Sequence, residues 1–207
     1  MRILITAGGT REYIDPVRFI SNASGGRMGY ALVRAALRAG HKVTLITAPN
    51  TLRLPSGAKV IEVETAAQMF GAVKKSFEIC DCLIMAAAVS DYAPVRTAKT
   101  KIKKSNKSLT LRLKPTADTL KWAGKHKRNK QIVVGFALED RNLRQNTKVK
   151  LKEKNLDMII ANTSAAIGAD KSTVQIKTPN CEWLTFPTAT KNTIAVKIIQ
   201  KIESISG

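Results

Sequence analysis

Short apolar segments alternate along this chain with segments that carry apolar residues at helical spacing. In the first such segment Met28, Ala31, Leu32 and Ala35 share one face of a predicted helix, which ends at Gly40. Strands that alternate with helices form parallel sheets, because each helix returns the chain to the start of the next strand. The first half has predicted strands at 3–6, 43–47, 60–63 and 83–89, and predicted helices at 27–39 and 66–77.

The second half is more mixed. Residues 91–107 are polar, basic and proline-containing, which is typical of a long loop or flap. Leu109, Leu111 and Leu113 alternate with polar residues, which predicts a half-exposed strand. The remaining predicted elements are strands 131–138 and 158–161, helices 118–124, 142–154 and one from 190 onward, and a hairpin of 174–177 with 182–186.

These elements predict the fold class. We expect a single α/β domain over residues 1–207, with a three-layer αβα Rossmann-like sheet that is mainly parallel. A basic flap at about 91–107 and a β-hairpin in the second half complete it.

The net charge of +20 is the most unusual bulk property of the chain. Such an excess favours either polyanions such as nucleic acid or small anionic substrates. Single-stranded nucleic-acid binders interleave aromatic residues with Arg and Lys, but aromatic residues are only 5% here, and the densest basic segment, 99–107, has none. Nucleic acid is therefore not the expected partner, although charge alone does not decide the question.

Cysteine use and apolar runs indicate the compartment. Cys80, Cys82 and Cys181 are odd in number and have no histidine at metal-ligand spacing, so we expect reduced structural thiols. No apolar run has transmembrane length, and the first residues lack the pattern of a signal peptide. A cytoplasmic protein without membrane contact is expected.

Glycines follow the first predicted strand and precede the first predicted helix. Gly8 and Gly9 end the strand, and Ser24 and Gly26 open the helix, where backbone N–H groups favour a phosphate. Arg18 and Asn22 are polar donors in the segment between them. The spacing is neither GxGxxG nor GxxxxGK[ST], so simple turn formers, a solvated arginine and a capping asparagine remain open alternatives.

A run of alanines ends the fourth predicted strand. Met85, Ala86, Ala87 and Ala88 would let a flat ligand approach the backbone closely, and Asp91 could accept from a ribose hydroxyl or hold a hydrated metal. A tightly packed strand with Asp91 capping a turn explains the same residues equally well.

Taken together, five segments resemble one family. They are DPVRFISN at 15–22, SGGRMG at 24–29, AAAVSDY at 86–92, KIKK at 101–104, and GFA at 135–137 followed by Glu139. In this order and spacing they resemble bacterial CTP-dependent phosphopantothenoylcysteine synthetases, which are often fused to a decarboxylase. The chain departs from that pattern in having Gly25 in place of a common serine and Ala117 in place of the usual proline.

The resemblance implies a ligase of coenzyme A biosynthesis that works in two steps. CTP and the carboxylate of 4′-phosphopantothenate would form an acyl-cytidylate and pyrophosphate, with Mg²⁺ on the triphosphate. The amine of cysteine would then displace CMP. The expected partners are therefore CTP, 4′-phosphopantothenate, cysteine and, as in the family, a second copy of the chain.

Site residues also follow from the resemblance, residue by residue. The implied catalytic residues are Asn22, Arg18 and Lys101, and those beside the substrate are Arg18, Asn22, Ala87 and Ala88. The implied nucleotide contacts are Gly8, Gly9, Ser24, Gly26, Met85, Ala86, Ala87, Asp91, Lys101, Ala117, Asp118, Thr119, Leu120, Phe136, Lys150 and Lys154. Asp91 is the one candidate metal ligand.

Three other functions remain as alternatives. A nicotinamide-dependent reductase of the same fold class would need a GxGxxG-type turn and an acidic residue after the second strand, where the chain has Ala48, Pro49 and Asn50. A basic nucleic-acid-binding module and a non-catalytic nucleotide-binding regulator are the alternatives from other classes.

Overall fold

The computed structural model describes residues 1–163 and 168–206. Its strands are β1 (Arg2–Ala7), β2 (Arg11–Asp15), β3 (Arg18–Ser21), β4 (Lys42–Thr47), β5 (Lys59–Glu62), β6 (Cys82–Met85), β7 (Tyr92–Pro94), β8 (Leu113–Pro115), β9 (Ile132–Leu138), β10 (Met158–Asn162), β11 (Lys171–Lys177) and β12 (Leu184–Thr190). Its helices are α1 (Arg27–Arg38), α2 (Ala66–Phe77), α3 (Thr119–His126), α4 (Leu143–Glu153) and α5 (Lys191–Ser206).

A large sheet of eight strands, in the order β12-β11-β10-β9-β6-β1-β4-β5, forms the middle layer. The six strands from β10 to β5 are parallel, and β11 and β12 add an antiparallel edge. Side chains of β1 alternate between the two faces, with Ile3 and Ile5 packed toward α1 and α5 and Leu4 toward α2 and α3. This burial of both faces explains the continuous apolar strands and confirms the predicted fold class.

Local signals account for most of the helix boundaries. Helix α2 begins at a capping box, in which the Thr65 side chain accepts from the backbone of Gln68 and the Gln68 side chain accepts in return. Helix α3 begins where the Asp118 carboxylate accepts the N–H of Lys121 at 2.9 Å. Both starts lie within a residue of the predicted ones.

The segment 11–23, for which the sequence predicted no regular element, contains a hairpin of β2 and β3. Arg11 donates its N–H to Glu64 O at 2.7 Å, and the buried Glu12 carboxylate accepts the N–H of Ala66 at 2.7 Å. Contacts with the start of α2 therefore hold the hairpin against the body. Such contacts join distant parts of the chain, so the local pattern gave no sign of them.

Two predicted strands are shorter in the structure. The strand expected at 83–89 ends at Met85, because the next residues pair with the turn after β1, where Ala88 N–H donates to Gly8 O at 2.8 Å. The strand expected around Leu109, Leu111 and Leu113 begins only at Leu113, because its partner β7 has three residues. Strands β7 and β8 form a second small sheet.

The predicted hairpin and final helix are confirmed, whereas the segment 91–107, expected to be a loop, begins with strand β7. Strands β11 and β12 form the expected hairpin, and Ile194, Ile198 and Ile202 bury the expected face of α5 against α1. In the described part of the chain no helix has both the length and the apolar character that crossing a bilayer requires.

Candidate functional site

A cavity of about 650 Å³ opens at the carboxyl ends of the parallel strands. Ligands of doubly wound sheets bind at this edge. One wall is the start of α1, where Gly26 adopts φ 74° and no side chain caps the helix. The N–H groups of the first turn therefore lack a side-chain partner and favour an anion. The lining residues are Asn22, Ala23, Ser24, Gly25, Gly26, Arg27, Met28, Ala86, Ala87, Ala88, Val89, Asp91, Phe136, Ala137, Leu138, Lys150, Asn162, Gly168 and Lys191.

A smaller cavity of about 220 Å³ adjoins the first and shares Ala87, Val89, Asp91, Phe136 and Lys150 with it. Ten of the residues that the sequence predicted as nucleotide contacts line this smaller cavity. They are Met85, Ala87, Asp91, Ala117, Asp118, Thr119, Leu120, Phe136, Lys150 and Lys154. The two cavities together offer room for two ligands side by side.

Short side chains set the shape of the wall between the cavities. Ala87 donates its N–H to Thr6 Oγ1 at 3.1 Å, which holds the alanine run against the end of β1. On β9, a Cβ at Gly135 would lie 2.7 Å from Leu120 Cδ2, so the Leu120 side chain of α3 packs directly on this glycine. The Thr119 hydroxyl is buried beside the smaller cavity and has no hydrogen-bond partner. A polar ligand in the smaller cavity could supply the hydrogen bond that this hydroxyl lacks.

Each of two lysines in the smaller cavity is held by a carboxylate. Lys150 Nζ lies 2.5 Å from Glu139 Oε1, and Lys154 Nζ lies 2.8 Å from Asp118 Oδ2. Burial, the largest single effect, would raise the pKa of Glu139 and of Asp118. The lysine hydrogen bonds and charges, together with a further N–H donor in each case (Asn146 for Glu139, Lys121 for Asp118), lower both pKa values overall. The carboxylates therefore stay ionised at neutral pH and orient the two ammonium groups.

Asn22 lies at the mouth of the larger cavity and bridges two chain segments. Its side-chain amide donates to Val89 O at 3.2 Å and to Ala88 O at 3.4 Å. Gly9 makes this approach possible, because a Cβ there would lie 2.7 Å from Asn22 O. The turn after β1 and the residue after β3 are thus packed backbone to backbone.

The model of one protein family, described as the C-terminal domain of the DNA/pantothenate metabolism flavoprotein, matches residues 1–205. The chain belongs to this family. The match confirms the relationship that the five sequence segments indicated.

Individual relatives agree with this membership. The coenzyme A biosynthesis bifunctional protein CoaBC of Bacillus subtilis (strain 168) is 42% identical over 99% of this chain and 51% of its own length. A cysteine/cysteine sulfinic acid decarboxylase from an unknown prokaryotic organism is 44% identical over 97% of this chain and 57% of its own length. The chain therefore spans about half the length of these curated relatives.

A solved structure covers the same region. The crystal structure of the C-terminal domain of a CoaBC protein superimposes with a TM-score of 0.86 at 37% identity, and the match covers 99% of this chain and 94% of that one. The eight-stranded arrangement of sheet and helices is thus the fold of the flavoprotein C-terminal domain.

Two of the three candidate catalytic residues lie outside both cavity walls. Arg18 follows the turn of the β2–β3 hairpin, where its guanidinium contacts Asp15 and Ile102. Lys101 is exposed on the flap next to Ile102. Asn22 is the candidate that lines a cavity. Arg18 and Lys101 therefore lie near each other, but neither shares the wall of the larger cavity with Asn22.

The remaining predicted residues divide between the walls and their support. Ser24, Gly26, Ala86 and Ala88 line the larger cavity. Gly8 and Gly9 line neither, since they form the turn beneath it, where Gly8 has φ 83° and a Cβ would lie 2.8 Å from Ala48 O. The structure therefore supports the alternative that Gly8 and Gly9 are turn-forming residues.

Sequence reasoning missed two polar residues of the larger cavity, Asn162 and Lys191. Asn162 ends β10 and Lys191 begins α5, so both are distant in sequence from the recognised motifs. Burial, and then the charge of Arg27, lower the pKa of Lys191. One sequence signal could have found Asn162: it comes at the end of an apolar strand, as other site residues come at the ends of their own strands.

No protein thiol reaches this site. Cys80 and Cys82 are buried, and Cys181 is exposed outside both cavity walls. Burial raises the pKa of Cys80 to about 11 and that of Cys82 well above its usual value, so both stay protonated and poorly reactive. The three cysteines are free thiols, as expected from the sequence.

The described residues also contain no group of three or more His, Cys, Asp or Glu side chains that could hold a metal ion. Asp91 lines both cavities, so it could supply one ligand. Magnesium commonly binds proteins through one or two carboxylates while phosphates and water supply the rest. A single carboxylate such as Asp91 fits a Mg²⁺ ion only if phosphate oxygens and water supply the other ligands.

Proposed function

We propose that this chain joins 4′-phosphopantothenate to cysteine through an acyl-cytidylate, releasing pyrophosphate and CMP, as part of coenzyme A biosynthesis. One observation carries the proposal: ten of the sixteen residues that the resemblance implies for nucleotide contact converge on the smaller cavity, directly beside a larger cavity with an uncapped helix start. Membership in a pantothenate-metabolism family and 42% identity to a coenzyme A biosynthesis protein support it.

The two cavities suit the two anionic substrates. The smaller one would take the nucleotide, with Phe136 beside the base and Lys150 and Lys154 available to its phosphates. The larger one would take phosphopantothenate, whose phosphate suits the start of α1 and the Arg27 side chain. Ser24 and Gly26, which the resemblance implied for the nucleotide, would then contact phosphopantothenate instead. Their shared wall at Ala87 would place the carboxylate near the α-phosphate.

The chemistry demands charge neutralisation more than proton transfer. A carboxylate that attacks phosphorus brings two anions together, so positioned cations must lower the barrier. Lys150, Lys154 and Arg27 line the walls, each in an ion pair with a carboxylate for which the substrate phosphates would compete. Arg18 and Lys101 would add positive charge from the flap side. Bound Mg²⁺ would neutralise further charge on the triphosphate. Asn22 would orient the acyl-cytidylate through its amide while the amine of cysteine displaces CMP.

A second copy of the chain would complete this site. Seven of the large apolar side chains exposed in the described structure cluster on the small sheets and the flap ends, a surface that we call the small-sheet face. They are Val17, Phe19, Tyr92, Val95, Leu109, Leu111 and Leu113. Exposed apolar clusters of this kind mark interaction surfaces. Arg18 lies in β3, and Lys101 precedes Ile102, the residue that Arg18 contacts, so pairing of two small-sheet faces would bring both cations near the partner copy.

Introducing a charge on this face tests the homodimer. Leu109→Glu should convert a particle with the mass of two chains into one with the mass of a single chain, because an unpaired carboxylate would be buried between the copies. Light scattering after size-exclusion chromatography measures this. Ile79→Glu is the matched control, since Ile79 is 62% exposed and Leu109 60%, and Ile79 lies outside the small-sheet face. Equal masses for both variants would contradict the proposed interface.

Pyrophosphate release tests the reaction itself. With CTP, 4′-phosphopantothenate and Mg²⁺ we expect release of pyrophosphate, and with cysteine added we expect CMP and the amide product. An ATP arm establishes the base preference. An arm that measures CO₂ from cysteine and cysteine sulfinic acid addresses the decarboxylase name of one relative. Release of CO₂ without any pyrophosphate would overturn the ligase proposal.

A further inference from the structure

Asp15, at the end of β2, is fully buried although it carries a charge and lies next to an exposed turn. Its Oδ1 atom accepts the N–H groups of Val17 and Arg18, both at 2.9 Å. Its Oδ2 atom accepts the N–H of Ile102 at 3.1 Å and lies 3.3 Å from Arg18 Nη1. One carboxylate thus binds the hairpin turn with one oxygen and the flap with the other.

The contacts form a closed group of three residues. Arg18 Nη2 donates to Ile102 O at 3.0 Å, while Asp15 accepts the N–H of the same residue. Both backbone polar groups of Ile102 are therefore held by the Asp15–Arg18 ion pair. Sequence separations of 84 and 87 residues make this a tertiary contact between hairpin and flap.

Ile102 is also the outermost anchor of the flap. The base of the flap is tied to β2 by Thr97 Oγ1 donating to Tyr13 O and by Ala98 N–H donating to Ile14 O, both at 2.9 Å. Within the described chain, Ile102 is the residue of 99–107 that is hydrogen-bonded to the body. Lys101 precedes it directly, so its backbone position depends on this anchor.

We propose that Asp15 is a positioning residue, whose buried carboxylate fastens Arg18 and the flap at Ile102 into one rigid unit and so sets where Arg18 and Lys101 deliver their charges. The inference rests on the proposed ligase function for the roles of those two cations. Nothing in the mechanism otherwise uses Asp15, and a turn of this kind needs only one of its two oxygens.

The charge state of Asp15 agrees with this role. Burial alone would raise the pKa of the Asp15 carboxyl, but the N–H groups of Val17, Ile102 and Arg18 and the Arg18 charge lower it overall. The carboxylate is therefore ionised at neutral pH, where its hydrogen bonds to N–H donors are of the stronger, charge-assisted type.

Asp15→Asn distinguishes the contact with the hairpin turn from the contact with the flap and Arg18. One oxygen remains for the turn, but the new NH₂ group faces the Ile102 N–H and the Arg18 guanidinium, neither of which can accept from it. In the 207-residue chain, amide hydrogen exchange in peptides covering 97–107 should rise roughly tenfold, as expected when a charge-assisted bond is lost. The kcat for pyrophosphate release should fall by roughly 100-fold, with KM for CTP nearly unchanged.

Two controls isolate the effect. Asp81→Asn alters a carboxylate that likewise binds an arginine, accepting Arg2 N–H at 2.7 Å and Arg2 Nη2 at 2.6 Å, but at the opposite end of the strands. It should change neither flap exchange nor kcat. Thr97→Val loosens the flap base without touching Arg18 and should change kcat far less than Asp15→Asn does. Should Asp15→Asn fail to fold, Ile102→Pro removes the same N–H donor from the flap side.

Each result distinguishes the two proposals. Unchanged exchange over 97–107 in Asp15→Asn overturns the anchor, whatever the activity. Faster exchange with wild-type kcat overturns the positioning role. If the wild-type chain releases no pyrophosphate, the proposed function fails, while the exchange data still decide whether Asp15 holds the flap.

Discussion

Asn22→Asp should lower the rate of amide formation by roughly 100-fold or more, the effect of losing a donor to a reacting anion. The Asn22 amide donates to Ala88 O and Val89 O, and a carboxylate in its place would face two carbonyl oxygens that can only accept. It would also add negative charge at the mouth of the cavity proposed for an anionic intermediate. Because Asn22 is exposed, the melting temperature should change little.

Lys101→Gln should lower pyrophosphate release to a similar extent while the fold is retained, since the Lys101 side chain is exposed on the flap. The two residues lie in different parts of the structure, Asn22 in a cavity wall and Lys101 outside it. If the small-sheet faces pair, Lys101 acts on the cavity of the other copy. Variants that are inactive alone should then complement each other.

Mixing the two variants measures this directly. After random exchange of subunits about half of the dimers are mixed, and each mixed dimer has one site with an intact Asn22 and an intact Lys101. About a quarter of the wild-type rate should return in a steady-state pyrophosphate assay. Self-mixed samples of either variant are the control. A mixture that stays inactive although exchange is demonstrated would mean that Lys101 acts within its own chain or not at all.

Gly124→Ala should destabilise the chain by about 3 kcal/mol, at the upper end of the usual cost of overpacking. Helix α3 lies so close to the turn after α4 that a Cβ at Gly124 would be 1.8 Å from Lys154 O and 3.1 Å from Asn155 O. Backbone atoms cannot rotate away, so the two segments must separate. The melting temperature should fall by about 6–12 °C, because 1 kcal/mol corresponds to about 2–4 °C in a chain of this size.

The same substitution also reaches the site. Lys154, whose carbonyl oxygen is the clashing atom, pairs through its ammonium group with Asp118 in the smaller cavity. Nucleotide binding should therefore weaken together with stability. Gly71→Ala is the matched control, since Gly71 is also helical and its Cβ would meet no atom within 4 Å. It should stabilise the chain by about 0.5–1 kcal/mol. Equal effects of both changes would show that helix propensity, and not the close approach, governs Gly124.

Much of the sheet was predictable because burial of an element produces a recognisable pattern of apolar residues in the local sequence. Strand β9 was expected at 131–138 and spans Ile132–Leu138, and helix α2 agrees at both ends. Such segments bury both faces of a strand or one face of a helix, so their apolar spacing suffices. The β2–β3 hairpin has no such apolar pattern, since its buried residues are few and include the carboxylates of Glu12 and Asp15.

The site was predictable only in part, for a related reason. Motif resemblance implied Phe136, Lys150 and Lys154, which do line the smaller cavity and which composition could not have singled out. It did not identify Asn162 or Lys191, which enter the larger cavity because β10 and α5 lie beside the motif-bearing elements in space. The motifs also did not indicate that Lys150 and Lys154, the two lysines of the smaller cavity, are each held by a carboxylate.

By itself the sequence determined the kind and order of the core elements and the family to which the chain belongs, because apolar spacing and short motifs are properties of neighbouring residues. Only the tertiary structure decided that Asn22 lies in a cavity wall while Arg18 and Lys101 lie outside it, and that Asp15 joins the hairpin to the flap. These relations depend on strand order and on contacts between residues more than 80 positions apart, as from Asp15 to Ile102, which arise only when the layers pack.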